Sequence, residues 1–230
     1  MTSKVCLITG VGPGTGSALV RKFAEDYQVA MLARSTERLA ALDAEIPNAH
    51  AYPCDVTDTE HMLAVVAQIR EDLGDPAVVV HNAVGGAFGT FLDIDPDVLE
   101  KNFQINTMSL LHLARATAPA MIAAGEGAIV ITGNTAAYRG VANFAGFAPT
   151  KAAQRILGEA MARDLGPKGV HVWLVAIDAG FGLPWTRKRY AGTPDDLFCQ
   201  PADIASECYR VAHQPRSAGS FSSVMRPFGE

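Results

Sequence analysis

A chain of 230 residues, 49% hydrophobic and 19% charged, carries enough apolar material to bury an interior, which excludes a disordered chain. Its formal charge of -5, without a clustered Lys and Arg stripe, excludes nucleic acid as the main partner, since phosphate-backbone binding needs such a cluster. Cys6, Cys54, Cys199 and Cys208 lack the paired spacing of a zinc site and no histidine stands at ligand spacing with another His or Cys, so no metal is expected and reduced thiols are the simpler reading.

The chain opens with Met1-Thr2-Ser3-Lys4 and passes into Val5-Cys6-Leu7-Ile8. That apolar run is too short for a signal peptide, and nothing later approaches a membrane span, so a soluble, cytoplasmic protein with no membrane partner is expected. The first strand is predicted at 4–9. Thr9-Gly10-Val11-Gly12-Pro13-Gly14-Thr15-Gly16 follows it and opens a helical segment. Gly10 suits a sharp exit from the strand, Gly14 a close approach of backbone to phosphate, and Gly16 close packing of helix on sheet; the free N–H groups of the next helix then face a pyrophosphate. The run fits T-G-x-x-x-G-x-G and not G-x-G-x-x-G. A purely structural turn is the bland alternative.

A second strand at 28–33 ends beside Arg34. A carboxylate at this point would hold a ribose 2′-hydroxyl, whereas a guanidinium can bind a 2′-phosphate through a charge-assisted fork, so NADP(H) is favoured over NAD(H). The competing reading of Arg34 is a solvated charge. The third strand, 49–53, leads to Asp55-Val56; the carboxylate can meet an adenine amino group and the valine can cover the ring, or Asp55 can cap the next helix. A fourth strand at 77–81 precedes Asn82-Ala83, and His81 beside them reads as a packing or turn residue. A long helical segment, 98–123, leads to a fifth strand at 127–132. A second long helical segment spans 147–165, with Ala148, Ala152, Ala153, Ile156, Leu157, Ala160 and Met161 as a wide apolar stripe. It is divided between the sheet and a partner's helix, or lies wholly inside one subunit; a homodimer or homotetramer through the two long helices is expected. Met108, Met121 and Met161 read as core.

The sixth strand, 170–176, is followed by an irregular stretch at 178–200, with Trp185, Arg187, Lys188 and Arg189 among Gly and Pro residues. Its length is that of a substrate lid, and its basic cluster would meet an acidic substrate or the cofactor phosphates, or merely solvent. A seventh strand at 221–225 closes the pattern. Runs such as Val78-Val79-Val80 and Ala128-Ile129-Val130-Ile131 suit strands covered on both faces. Alternation of strand and helix without a break predicts one domain over 1–230: a doubly wound α/β Rossmann-type fold, with about seven parallel strands and helices on both faces. Its ligand belongs at the carboxyl ends of the strands.

With these pieces in order, the chain resembles the short-chain dehydrogenase/reductase family over nearly its whole length. The likeness rests on Thr9-Gly10-x-x-x-Gly14-x-Gly16, Asp55-Val56, Asn82-Ala83, Asn106, Gly127-Ala128-Ile129-Val130 and Lys151-Ala152. It implies hydride transfer between a nicotinamide cofactor and a carbonyl or alcohol through an Asn, Ser, Tyr and Lys tetrad. It places the cofactor on Gly10, Gly12, Gly14, Thr15, Gly16, Arg34, Asp55, Val56, Asn82, Ala83, Lys151 and Gly180. Asn106 matches the asparagine that holds a relay water, and Lys151 the lysine that grips the nicotinamide ribose and depresses the tyrosine pKa. The serine position holds Asn134 and the tyrosine position Phe147; Val84 stands for a glycine, and Ala179-Gly180 for Pro-Gly.

A positioned O–H that protonates the developing alkoxide contributes roughly 10²–10⁴ in rate, about 3–5 kcal/mol, and phenylalanine has none to give. Asn134 can donate an amide hydrogen bond to the oxygen but cannot deliver a proton. Three replacement donors lie nearby: Tyr138, whose plainer role is lining the pocket; Lys151, through water held by Asn106; and Thr135, a poor acid. Two readings remain open, an NADP(H)-dependent oxidoreductase on a small or medium carbonyl or alcohol with a non-standard donor, and a nucleotide-binding sensor or partner subunit that lost turnover.

Overall fold

The computed structural model describes residues 4–229, apart from the side chains of Trp185 and Arg189. Met1, Thr2 and Ser3, and those two side chains of the expected lid, lie outside the described residues. In chain order the elements are β1 (Val5–Thr9), α1 (Thr15–Phe23), β2 (Gln28–Ala33), α2 (Thr36–Glu45), β3 (Ala49–Pro53), α3 (Thr59–Asp72), β4 (Pro76–His81) and α4 (Pro96–Phe103). A π-helical turn (Gln104–Met108) then runs into α5 (Ser109–Ala124), β5 (Gly127–Asn134), α6 (Ala148–Leu165), β6 (Val170–Ile177), β7 (Gly180–Phe181), α7 (Pro184–Arg189), β8 (Phe198–Cys199), α8 (Pro201–Ala212) and β9 (Ser222–Met225).

Seven strands form one sheet in the order β3-β2-β1-β4-β5-β6-β9, each neighbouring pair parallel. Alternate residues of a strand point to opposite faces, so Ile8 and Leu7 feed two separate cores. On one face Leu19 and Phe23 of α1, Leu39 of α2 and Ile204 and Val211 of α8 pack over Ile8, Met31, Val80 and Trp173. On the other, Met62 and Val66 of α3, Leu110 and Leu113 of α5 and Leu165 of α6 cover Leu7, Val79, Ile129 and Leu174. Each such side chain contributes about 1.5–3 kcal/mol by leaving water. The chain winds outward from β1 to β3 and returns to place β4 beside β1. The strand order therefore reverses there, and a crevice opens at the carboxyl ends of β1 and β4.

Three departures from the expected elements bear on the site. The helix expected at 98–123 is broken by the π-turn, whose extra residue shifts the phase of Asn106 relative to a regular helix; apolar spacing carries no signal for a one-residue bulge. Strand β5 continues to Asn134, where it pairs with Ile177 of β6. The stretch at 178–200 is not irregular: Gly180 pairs with Phe198 and Phe181 with Cys199, tying its two ends together around α7. On α6 the apolar stripe divides, with Leu157 and Met161 packed on the core and Ile156 58% exposed. Among the described residues no helix is long and apolar enough to cross a membrane, and no three His, Cys, Asp or Glu side chains group as a metal site.

Candidate active site

Three strand ends are laced together at the crevice. Thr9 Oγ1 accepts from the backbone N–H of Asn82 (3.2 Å) and of Ala83 (3.3 Å). Asn82 Nδ2 donates to Gly10 O (2.9 Å), and Thr132 Oγ1 of β5 donates to Asn82 Oδ1 (3.0 Å). Gly10 takes φ +69°, and a Cβ there would stand 2.6 Å from the Ala83 backbone, so both conformation and space demand glycine. A Cβ on Gly16 would stand 2.5 Å from Gly10 O, which lets α1 sit directly on the turn. Gly12 differs: its side is open, with nothing nearer than 3.9 Å, and it faces a cavity of about 510 Å³. Helix α1 starts without a side-chain cap, and Gly14, Thr15 and Gly16 at its start line the same cavity. Open backbone, uncapped donors and the positive end of the helix dipole together fit a pyrophosphate.

At one end the cavity is lined by Ala33, Arg34, Ser35, Arg38, Asp55 and Val56. Ser35 Oγ caps α2, accepting from Arg38 N at 3.4 Å, and so sets Arg38 within one turn of Arg34. Arg38 and Ser35 were missed in the sequence, although the four-residue spacing of the two arginines across a capped helix start was a readable signal. Asp55 Oδ1 accepts from Thr57 N (3.0 Å) and Thr57 Oγ1 (2.8 Å). The cap of α3 is Asp58, which settles the alternative role considered for Asp55. Burial pushes the Asp55 carboxyl up, but the Thr57 hydrogen bonds and the charges of Arg34 and Lys101 outweigh it, leaving its pKa below the ordinary value.

At the other end Lys151 sits 2% exposed. Its Nζ donates to Gln154 Oε1 (2.9 Å) and Thr132 O (3.3 Å) and lies 5.8 Å from the centroid of the Phe147 ring. Burial lowers its pKa from 10.5 to about 7. Asn106 is fully buried: its Nδ2 donates to Gly85 O (2.7 Å) and Thr150 Oγ1 (2.8 Å), and its Oδ1 accepts from Gly85 N (3.0 Å). Both amide hydrogens are thus spent on bracing the loop after β4 against α6. Asn134 lines the cavity, but its Nδ2 donates to Ile177 O (2.8 Å) and its Oδ1 accepts from Ala136 N (2.8 Å), which leaves one hydrogen for a ligand. Thr135 Oγ1 donates to the Asp178 carboxylate. Tyr138 is 45% exposed with Arg155 stacked 5.0 Å from its ring centroid, and it is not part of the cavity wall. Gly180 is likewise absent from the wall, where Phe181 and Leu183 stand instead. His81, read as a packing residue, is wholly buried yet hydrogen-bonded through both ring nitrogens.

Residues 4–180 match the family model described as short chain dehydrogenase. The chain belongs to the short-chain dehydrogenase family. Epidermal retinol dehydrogenase 2 of Mus musculus is 30% identical over 167 residues, which are 70% of this chain and 54% of that protein, so the chain spans about half the length of that relative. L-xylulose reductase of Mus musculus is 29% identical over 174 residues, 75% of this chain and 70% of that enzyme. A metagenomic short-chain oxidoreductase in complex with NADP shares 28% identity and superposes with a TM-score of 0.84 over 98% of this chain and 97% of that one. At the positions expected from the resemblance to hold a serine and a tyrosine, this short-chain dehydrogenase carries Asn134 and Phe147.

Proposed function

We propose that this short-chain dehydrogenase is an NADP(H)-dependent oxidoreductase that reduces an apolar carbonyl, or oxidises the matching alcohol, with Lys151 as the proton donor. The observation that carries the reading is a lysine buried in the cavity wall, with a pKa near 7 and an aromatic face where a phenol would stand. A general acid works best when its pKa lies near the operating pH. The cofactor, when bound, supplies or accepts hydride. The chain's own part is to donate an N–H of the Lys151 ammonium to the carbonyl oxygen as negative charge builds on it, pass the proton across, and recover one from water. The Phe147 face favours the charged lysine by about 0.5–2 kcal/mol, and the free hydrogen of Asn134 adds a second donor to the oxygen. Arg34, Ser35 and Arg38 would hold the 2′-phosphate.

The names of the relatives, a retinol dehydrogenase and a xylulose reductase, bracket apolar and polyol substrates. Apolar groups favour the former: Val84 and Phe147 line the cavity, and Phe88 and Phe144, outside its wall, pack on Phe147 at centroid distances of 6.4 and 6.3 Å. The segment from β7 to β8 serves as the lid, with Leu183 placed over Gly14. A second copy of the chain covers Ile156 on α6, giving a homo-oligomer in a reducing, cytoplasmic setting. The test is NADPH binding by fluorescence, followed by its oxidation against ketones and aldehydes of graded polarity. Reduction should fall as pH rises through about 7, and Lys151→Met should lose at least a hundredfold in turnover. Tight binding with no oxidation of NADPH by any carbonyl would favour the second reading, a nucleotide-binding protein, for which the Thr135 hydroxyl, taken up by Asp178, speaks.

A further inference from the structure

Behind Lys151 a line of buried polar side chains runs away from the cavity. Gln154, His81 and Ser109 are each at most 2% exposed. Lys151 Nζ donates to Gln154 Oε1 (2.9 Å), and the Gln154 amide then meets His81 Nδ1 through its Nε2 (3.3 Å). His81 Nε2 stands 2.8 Å from Ser109 Oγ, and Ser109 Oγ donates to Ile105 O (2.6 Å). The chemistry allows one direction only. The ammonium has nothing but hydrogens to offer, so the Gln154 oxygen accepts and its nitrogen must donate. His81 Nδ1 is then the acceptor, Nε2 carries the proton, and the Ser109 hydroxyl passes its own hydrogen on to a carbonyl. That carbonyl belongs to the π-turn, on Ile105, the residue just before Asn106.

Burying three polar side chains where an apolar core would serve costs stability unless every group is paired, and here every link is paired in register. A packing role alone leaves this register unexplained, since apolar residues of the same volume would fill the space. His81 must also stay neutral: burial and then the charge of Lys151 lower its pKa from 6.5 to about 3. A cation at His81 would reverse the link to Gln154 and face a second cation.

We infer that Gln154, braced by His81 and Ser109, is a positioning residue that fixes the Lys151 ammonium at the cavity wall and couples it to the π-turn carrying Asn106. This rests on the reading of Lys151 as proton donor, and the test separates the two. His81 on β4 is the titratable side chain beside Lys151; from β5 the lysine meets the Thr132 carbonyl, from its own helix Gln154 and the Phe147 ring.

The experiment labels lysine Nζ and Cε with ¹⁵N and ¹³C in the full chain, assigns Lys151 by its loss in Lys151→Met, and follows its titration by NMR in wild type, Gln154→Leu, Gln154→Glu and Ser109→Ala. Loss of the acceptor in Gln154→Leu should move the Lys151 midpoint down by at least half a pH unit, the carboxylate of Gln154→Glu should move it up, and Ser109→Ala should move it down by less. A midpoint that stays within 0.2 unit of wild type in all three would overturn the inference; should Gln154→Leu not fold, Gln154→Glu and Ser109→Ala decide alone. The pH dependence of carbonyl reduction is then measured on the same proteins. If the NMR midpoints move as stated but the reduction profile does not follow them, the positioning role stands and the donor assignment falls.

Discussion

Replacing Lys151 by methionine changes stability in a way that pH exposes. The unfolded lysine titrates at 10.5 and the folded one at about 7, so between these values the unfolded chain binds a proton that the folded chain does not. Stability then rises with pH across that window, by about 1.4 kcal/mol per unit where the difference is a full proton. Integrated over the two units from pH 7 to 9, Lys151 contributes a gain on the order of 2.5 kcal/mol. Above pH 9 the buried Cys208 and Tyr27, whose pKa values burial raises to about 12, work in the opposite sense, because the folded chain then holds protons that the unfolded chain loses. Those groups are common to both proteins and cancel in the difference. Urea unfolding followed by circular dichroism at pH 6.5, 7, 8 and 9 measures it. The stability of wild type minus that of Lys151→Met should grow by about 2–3 kcal/mol from pH 7 to 9, with the variant the more favoured at the acid end. A difference that stays flat over this range would mean that the buried lysine keeps an ordinary pKa, and the case for it as an acid near neutrality would go with it.

Replacing Arg34 and Arg38 together by alanine should weaken NADPH binding about 10–100-fold, as expected for the loss of charge-assisted hydrogen bonds of about 1.5–3 kcal/mol, while leaving NADH binding nearly unchanged; equal losses in calorimetry would refute the 2′-phosphate assignment. Tyr138→Phe should keep carbonyl reduction within threefold, because the ring lies against Arg155 outside the cavity wall, and a hundredfold fall in kcat would restore that phenol as the donor. The pair Asn134→Ser with Phe147→Tyr should raise reduction of a generic ketone at least tenfold, within the range of roughly 10²–10⁴ for a positioned acid. If that pair changes nothing in steady-state assays, access or cofactor pose limits the reaction rather than the missing hydroxyl.

The glycine turn was legible because each of its requirements falls on one residue type at a fixed offset from a strand end. Positive φ at Gly10 and a close approach at Gly16 are both visible as letters. The doubly wound sheet was legible for a similar reason: uniformly apolar strands spaced by helix-length segments admit few other arrangements. The catalytic half depended on side-chain direction, which spacing does not carry. Asn134 and Thr135 look fully available in the sequence, yet Ile177 and Ala136 leave Asn134 one amide hydrogen, and Asp178 takes the Thr135 hydroxyl. Tyr138 is near in sequence and turned away in space. His81 and Gln154 are far apart in sequence and hydrogen-bonded in the core, so no local pattern joins them. The π-turn was invisible because one extra residue in a helix leaves the apolar stripe almost unchanged.

On the proposed reading, Phe147 and Gln154 share one physical logic. A phenol beside a buried lysine gives its charge a partner, since the oxygen can turn anionic as the lysine stays cationic. With Phe147 beside it, the Lys151 ammonium is held by dipoles: the Thr132 carbonyl, the Gln154 oxygen and the ring face. Dipoles of this kind offset only part of the desolvation of a charge, which is why the lysine settles near neutrality and not at the pKa of a solvated amine. On the proposed reading a lysine so placed exchanges a proton itself near pH 7. That role requires that something fix the ammonium in place. The line from Gln154 through His81 and Ser109 to the π-turn is the part of the fold proposed to do so.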